Sequence, residues 1–260
     1  MGTAKADLDW FGAPLLYRTA SVLARVATPV VIVRAPGQDL PDLPPEIEVA
    51  EDADEGRGPL AGMAAGMRAL AARASGDRPD AVFVSSTDVP LLHPAFVRSV
   101  AEGLGGADVA LPVVDGRNHP LSAVYRLALL PKIEALLAQD RLRPAFVWED
   151  AVVVKLTEAD LVHPESVRNV NTPDELAQAR ALPLPEVEIQ AFGTIRTKVG
   201  TARTDVRAAT LGAALSALPS AGLDPDHLLV SLNGEGFRSD PRTALVEGDS
   251  LALLSPEAGG

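Results

Sequence analysis

Asp88 stands in Ser85-Ser-Thr-Asp88-Val-Pro90, directly behind the apolar run Ala81-Val-Phe-Val84. In open α/β sheets, ligands collect outside the carboxyl ends of the strands. A carboxylate placed there, with proline stiffening the turn, can hold Mg²⁺ against a nucleotide phosphate. Position alone fits equally a turn in which the aspartate bonds its own backbone. Gly58-Pro59-Leu60-Ala61-Gly62 opens a helix. Glycine lets backbone approach a ligand closely, and a helix N-terminus favours negative charge. An ordinary helix start has the same spacing, and no Gly-Lys-Ser/Thr follows to make a Walker loop. Six carboxylates crowd positions 46 to 55. Most read as a solvated loop, but Asp52 lies just ahead of the Gly58 turn.

Other candidates carry less chemistry. His93, His119, His163 and His227 show no metal-ligand spacing. Three read as helix-start, loop or strand-edge residues, whereas His119, at the start of a strand, could face a ligand edge or be structural. No serine is flanked as a nucleophile elbow. The absence of cysteine excludes disulfides, thiolate zinc sites and thiol nucleophiles. Asn233-Gly-Glu-Gly236 reads as a turn rather than a dinucleotide fingerprint. The chain ends Leu254-Ser-Pro-Glu-Ala-Gly259-Gly260. Two glycines without Cβ atoms can thread a channel too narrow for other residues, and a plain chain end reads the same way.

The elements that must position these residues follow from pattern. At 260 residues the chain has room for one large α/β domain or two modest ones. Hydrophobic residues make up 47% and aromatics only 4%, so the core must be built of Ala, Leu and Val. A net charge of −12 argues against a binder of nucleic acids or anionic membranes, both of which require a cationic face. An acidic chain that handles phosphates calls for a metal ion. No apolar run approaches the ~20 residues of a membrane span, and the N-terminus lacks signal-peptide character, so a soluble cytoplasmic protein is expected.

The first half alternates: helix over 14–27, strands near 29–33 and 47–50, helix over 60–73, strand 81–85, helix 94–104 and strand 108–114. This alternation predicts a mostly parallel sheet covered by helices. Thr172-Pro-Asp-Glu175 carries three helix-start signals. Ala181-Leu-Pro-Leu-Pro185 reads as a stiff linker between domains at 1–180 and 186–260. Beyond it come strands at 187–192, 227–232 and 250–254 and one helix over 210–218, which predict a small α+β roll.

Taken in order, Met1-Gly-Thr-Ala-Lys5, Gly12-Ala-Pro-Leu-Leu16, Glu51-Asp52, Gly58-Pro-Leu-Ala-Gly62, Asp88-Val-Pro90, His119-Pro-Leu121 and Asn169-Val-Asn-Thr-Pro-Asp-Glu-Leu176 resemble the molybdenum cofactor guanylyltransferases, the MobA-like nucleotidyltransferases. The resemblance spans nearly all of 1–180. It implies a Rossmann-like fold and transfer of GMP from GTP to molybdopterin phosphate with release of pyrophosphate. It implies Mg²⁺ at Asp88 and phosphate contact and a catalytic role for Lys5. It further implies nucleotide contacts at Asp52, Gly58, Pro59, Leu60, Ala61 and Gly62, with Asn169 and Asn171 lining the site. CTP or a sugar phosphate in place of GTP, or a module that binds without catalysing, stay open as alternatives. The family pattern carries a strand and a glycine-rich loop before its Met-Gly, has Asp where Ala4 stands, and in some members a polar residue where Val33 stands. The expectation is that the natural start lies roughly 15–20 residues upstream, and that residues 1–260 alone bind GTP weakly and transfer GMP poorly.

Residues 186–260 resemble the sulfur carriers of molybdopterin synthase, the MoaD/ThiS group, through Ala191-Phe-Gly-Thr-Ile-Arg196, Asn233-Gly-Glu235, Glu247-Gly-Asp249 and Gly259-Gly260. That resemblance implies a ubiquitin-like β-grasp fold and a terminal carboxylate on Gly260 that is adenylated and converted to a thiocarboxylate. It also implies two partners: the large subunit of molybdopterin synthase and an adenylating, sulfur-activating enzyme.

Overall fold

Apolar side chains at helical spacing and short β-branched runs settle into two sheet-containing units in the computed structural model, which describes residues 5–52, 56–218 and 228–255. A 3-10 turn over Lys5–Asp7 leads into a small ribbon, β1 (Asp9–Trp10) and β2 (Ala13–Pro14), then α1 (Leu15–Ala24). There follow β3 (Val31–Arg34), β4 (Glu48–Glu51), α2 (Pro59–Ala71), β5 (Ala81–Ser85), α3 (Pro94–Gly103) and β6 (Val109–Val114). The unit continues through β7 (Arg117–Asn118), β8 (Ser122–Arg126), α4 (Leu130–Ala138), β9 (Val153–Leu156) and α5 (Pro173–Arg180). Leu60, Met63, Ala64, Met67 and Leu70 recur along one face of α2 and bury it against Val109, Leu111 and Tyr125 of the sheet.

The expectation of a mostly parallel sheet is corrected. β3 pairs in parallel with β4, and β6 with β9. β8, however, lies antiparallel between β5 and β6. Only residues 115–121 separate β6 from β8, far too few for the crossover that a parallel return requires. The sheet is also interrupted. Among the described residues β3 pairs only with β4, and β5 only with β8. Between them lies a cavity of about 590 Å³ lined by Val31–Val33, Phe83 and Val84, under α1 and α2.

The second unit comprises β10 (Glu186–Ala191), α6 (Gly193–Val199), β11 (Arg203–Arg207), α7 (Leu211–Ser216), β12 (Leu229–Leu232), β13 (Phe237–Arg238) and β14 (Ser250–Leu254). Its five strands run in the order β11-β10-β14-β12-β13, with β10 and β14 parallel and the other pairs antiparallel. Alternation puts Val187, Ile189, Val230, Leu232, Leu251 and Leu253 on the inner face, under Ile195, Val199, Leu211 and Ala214. Two helices cover it, not the expected one; the polar Thr194, Arg196 and Thr197 of α6 masked its period. The Asn233-Gly234 turn is as expected, both residues at positive φ (52° and 76°), the requirement of a two-residue hairpin turn.

The units share a boundary built by residues 244–246. Ala244 and Val246 pack into the core of the first unit and Leu245 into that of the second. Beside them Arg18, fully buried on the apolar stripe of α1, donates from Nε to Pro90 O (2.8 Å) and from Nη1 to Ala209 O and Leu245 O (both 3.2 Å). Burial pulls its pKa down to about 10, so it stays charged at neutral pH. Arg18→Met would orphan two buried carbonyls, Pro90 O and Leu245 O, at roughly 1–3 kcal/mol each, while Ala209 O keeps the Leu245 amide. Relief of guanidinium desolvation offsets part of that, so a net loss of about 2–4 kcal/mol is expected in urea unfolding. An unchanged urea midpoint would show that these contacts contribute nothing.

Candidate active site

The turn after β5 is held from four sides. The Ser86 amide donates to Leu121 O (3.0 Å), the Val170 amide to Asp88 O (2.9 Å), and Arg18 to Pro90 O. The Thr19 hydroxyl lies 3.5 Å from Thr87 O. These bonds place the buried Asp88 carboxylate at the carboxyl edge of the sheet, where Asn169 Nδ2 donates to its Oδ1 at 3.0 Å and lies 3.5 Å from Ser86 Oγ. Asp88 and Asn169, 81 positions apart, are thus brought together. Asn171 sits one turn further, its amide donating to Glu175 Oε2 (2.6 Å). The Thr172–Glu175 capping box that starts α5 therefore also fixes the loop carrying both asparagines.

Gly58 caps α2 at φ 79°, a left-handed conformation that a Cβ would strain, with Pro59 in the first turn. Pro59 and Gly62 line the same cavity as Ser85, Ser86 and Thr87. A Cβ on Gly62 would meet open space, so this helix start presents bare backbone. The Leu60 and Ala61 side chains are core, leaving only their backbone for a ligand. The Asp52 amide donates to Arg34 O (2.8 Å) at the end of β4. The Lys5 side chain, His227, Gly259 and Gly260 lie outside the described residues.

Among the described residues, no group of three or more His, Cys, Asp or Glu could hold a metal. A lone buried carboxylate still fits Mg²⁺, which is bound by one or two carboxylates together with substrate phosphates. His119 is half-buried with Nε2 3.4 Å from Val114 O and does not line the cavity.

His93 caps α3. Its Nδ1 accepts from the Ala95 amide (3.0 Å), so the proton sits on Nε2, which donates to Glu247 O (3.1 Å) in the second unit. Burial holds its pKa below the ordinary 6.5; the neighbouring His163, stacked at 3.8 Å, and Arg25 push the same way, while the Glu247 carbonyl and Asp249 oppose. The unfolded chain therefore takes up a proton here first. Stability is full above about pH 6.5 and declines as pH falls toward the folded pKa. His93→Asn, which keeps a capping oxygen, is expected to flatten the fall in unfolding free energy between about pH 7 and 5.5. An unaltered slope would remove His93 as its source.

The α/β architecture of the first unit is that of the nucleotidyltransferase-like folds. Residues 1–152 match the family of MobA-like NTP transferase domains, and the chain belongs to that family. It is 35% identical over 190 residues to a probable molybdenum cofactor guanylyltransferase of Mycobacterium avium, covering 70% of this chain and 90% of the relative. It is 32% identical over 183 residues to a molybdenum cofactor guanylyltransferase of Rhodobacter capsulatus, covering 69% of this chain and 87% of the relative. In fold it is similar to molybdopterin-guanine dinucleotide biosynthesis protein A of Archaeoglobus fulgidus, with a TM-score of 0.53 and 23% identity over 69% of this chain and 90% of that one. The family match ends at residue 152, so the second unit rests on its own geometry. Among the described residues no helix is long and apolar enough to cross a membrane.

Sequence reasoning missed the contacts across the unit boundary. One signal was there: Arg18 interrupts the stripe of Leu15 and Val22 at helical spacing, and a charge on a buried stripe marks a polar partner.

Proposed function

We propose that the first unit transfers GMP from GTP to molybdopterin phosphate. The observation that carries this reading is the buried Asp88 carboxylate held by Asn169 just after Ser85–Thr87, which line one cavity with Pro59 and Gly62 of the α2 start, in a chain of this family. A molybdopterin phosphate oxygen attacks the α-phosphorus of GTP; the new P–O bond forms as the bond to the β-phosphate bridging oxygen breaks, and the electron pair leaves with pyrophosphate. The phosphate nucleophile is already ionised near neutral pH, so positioning and charge stabilisation dominate. Asp88 would hold Mg²⁺, which when bound supplies positive charge to the leaving pyrophosphate. The helix start and its glycines orient the phosphates, and Asp52, Asn169 and Asn171 contact the nucleotide. Lys5 enters this reading as a phosphate-neutralising ammonium by resemblance alone. Initial rates with GTP and CTP at equal concentration test the nucleotide: faster turnover with GTP is expected, and a preference for CTP would overturn guanylyl transfer.

A second reading concerns the second unit, as a sulfur carrier. It is supported by the strand order 2-1-5-3-4 of its own strands with the outer pair members flanking a parallel centre, the arrangement of a β-grasp. It is supported too by the meeting of Asn233-Gly234 with Gly248-Asp249, where Asn233 Nδ2 donates to Asp249 Oδ1 (2.9 Å). The partners would be the molybdopterin synthase large subunit and an ATP-dependent activating enzyme. Intact-mass analysis after incubation with that enzyme, ATP and a sulfur donor should show one oxygen exchanged for sulfur at Gly260. An unmodified chain, where a known carrier is converted, would sink this second reading. Both activities belong to a soluble, cytoplasmic protein in this reading.

A further inference from the structure

The segment that carries Asp88 is fastened to the second unit along its length. Arg18, buried on α1, donates from Nε to Pro90 O (2.8 Å) and from Nη1 to Ala209 O and Leu245 O (both 3.2 Å). One guanidinium thus ties a carbonyl two residues past Asp88 to two backbone oxygens of the second unit. Val89 and Leu92, on either side of that carbonyl, share an apolar cluster with Ala244 and Val246. At the far end His93 Nε2 donates to Glu247 O (3.1 Å). Asp249 steadies the same stretch from the second unit: it accepts from the Val246 amide (2.8 Å) and holds Arg25, the residue that caps the end of α1. From within the first unit, the Val170 amide donates to Asp88 O (2.9 Å) and the His93 amide to Ser166 Oγ (3.2 Å).

We propose that Arg18 is a positioning residue for nucleotide transfer, and that the docked second unit is what lets it act. This rests on the reading of Asp88 as the Mg²⁺ ligand. A carboxylate takes a divalent cation well only when the backbone behind it is already fixed, and loss of such support typically costs about 10–100-fold in metal affinity. Arg18 suits the task because its Nε and Nη1 lie in one rigid plane and aim at carbonyls of different units. Lysine would keep the charge but concentrate its donors on one nitrogen, so it cannot hold Pro90 O and both second-unit carbonyls in that geometry. The second unit thereby sets how well the first takes up its cation.

The test is calorimetric titration of the full chain with GTP, in Mg²⁺ and again in EDTA, which reads site number and affinity separately. In the parent, Mg²⁺ should tighten GTP binding, and Asp88→Asn should abolish that gain. Arg18→Lys and Asp249→Asn, one on each side of the border, should each weaken GTP binding in Mg²⁺ about tenfold. Both should leave the affinity in EDTA and the site number near the parental values. A role confined to stability would instead lower the site number and keep the full Mg²⁺ gain in the chains that bind, and that result would overturn the proposal. A gain lost in Arg18→Lys but intact in Asp249→Asn would overturn the part assigned to the second unit. A gain lost in Asp88→Asn yet intact in Arg18→Lys would overturn the positioning role while the metal reading stands. A gain that survives Asp88→Asn would overturn the metal reading, and the positioning role with it, so the two failures are told apart.

Discussion

Asp88→Asn is expected to lower nucleotide transfer by on the order of 10²–10³-fold while leaving the fold intact. The substitution keeps volume and an oxygen that can still accept from Asn169 Nδ2, now 3.0 Å away, and the backbone bonds to Val170 are untouched. What is lost is the negative charge, and a neutral amide is a poor Mg²⁺ ligand. Because the turn is braced by Arg18, Thr19 and Leu121 rather than by the carboxylate alone, unfolding midpoints should match those of the parent. Near-parental turnover in a folded Asp88→Asn chain would remove Asp88 from the site.

Asp249→Ala is expected to cost about 3–5 kcal/mol of stability, the largest single loss at the unit boundary. Arg25 meets this carboxylate with both terminal nitrogens, Nη2 to Oδ1 at 2.6 Å and Nη1 to Oδ2 at 3.0 Å, with side-chain exposures of only 10% and 3%. Asp249 also accepts from the Val246 amide (2.8 Å) and Asn233 Nδ2. Truncation leaves a buried guanidinium uncompensated and two donors orphaned. The double variant Arg25→Met, Asp249→Ala should recover part of the loss, since no unpaired charge then remains. Denaturant unfolding of the parent, the Arg25→Met and Asp249→Ala single variants and the double variant measures the coupling; a cost for Asp249→Ala below about 1 kcal/mol would place the pair among solvent-screened ion pairs.

Local signals carried through to the structure where one short segment decides the outcome. The strands Ala81–Ser85 and Ser250–Leu254 have the bounds their apolar runs predict. Thr172 and Glu175 form both bonds of the predicted box, and Asn233-Gly234 makes its turn. What failed depends on partners distant in sequence. Nothing in Ser122–Arg126 announces that it pairs antiparallel with two strands; only the short loop before it does. The contacts of Arg18, Arg25 and Asp249 across the unit boundary form only when the fold brings together residues as far as 224 positions apart. At the site, the turn, the helix start and the asparagine loop were legible as separate motifs. Their convergence at one sheet edge was not, because it depends on the order of the strands.

The proposed guanylyl transfer is followed directly with GTP labelled at the α-phosphate, molybdopterin, Mg²⁺ and the full chain. The expected result is label in a molybdopterin-linked GMP product, one pyrophosphate released per GMP transferred, and loss of both with Asp88→Asn. No labelled product from a folded chain that binds GTP would contradict it.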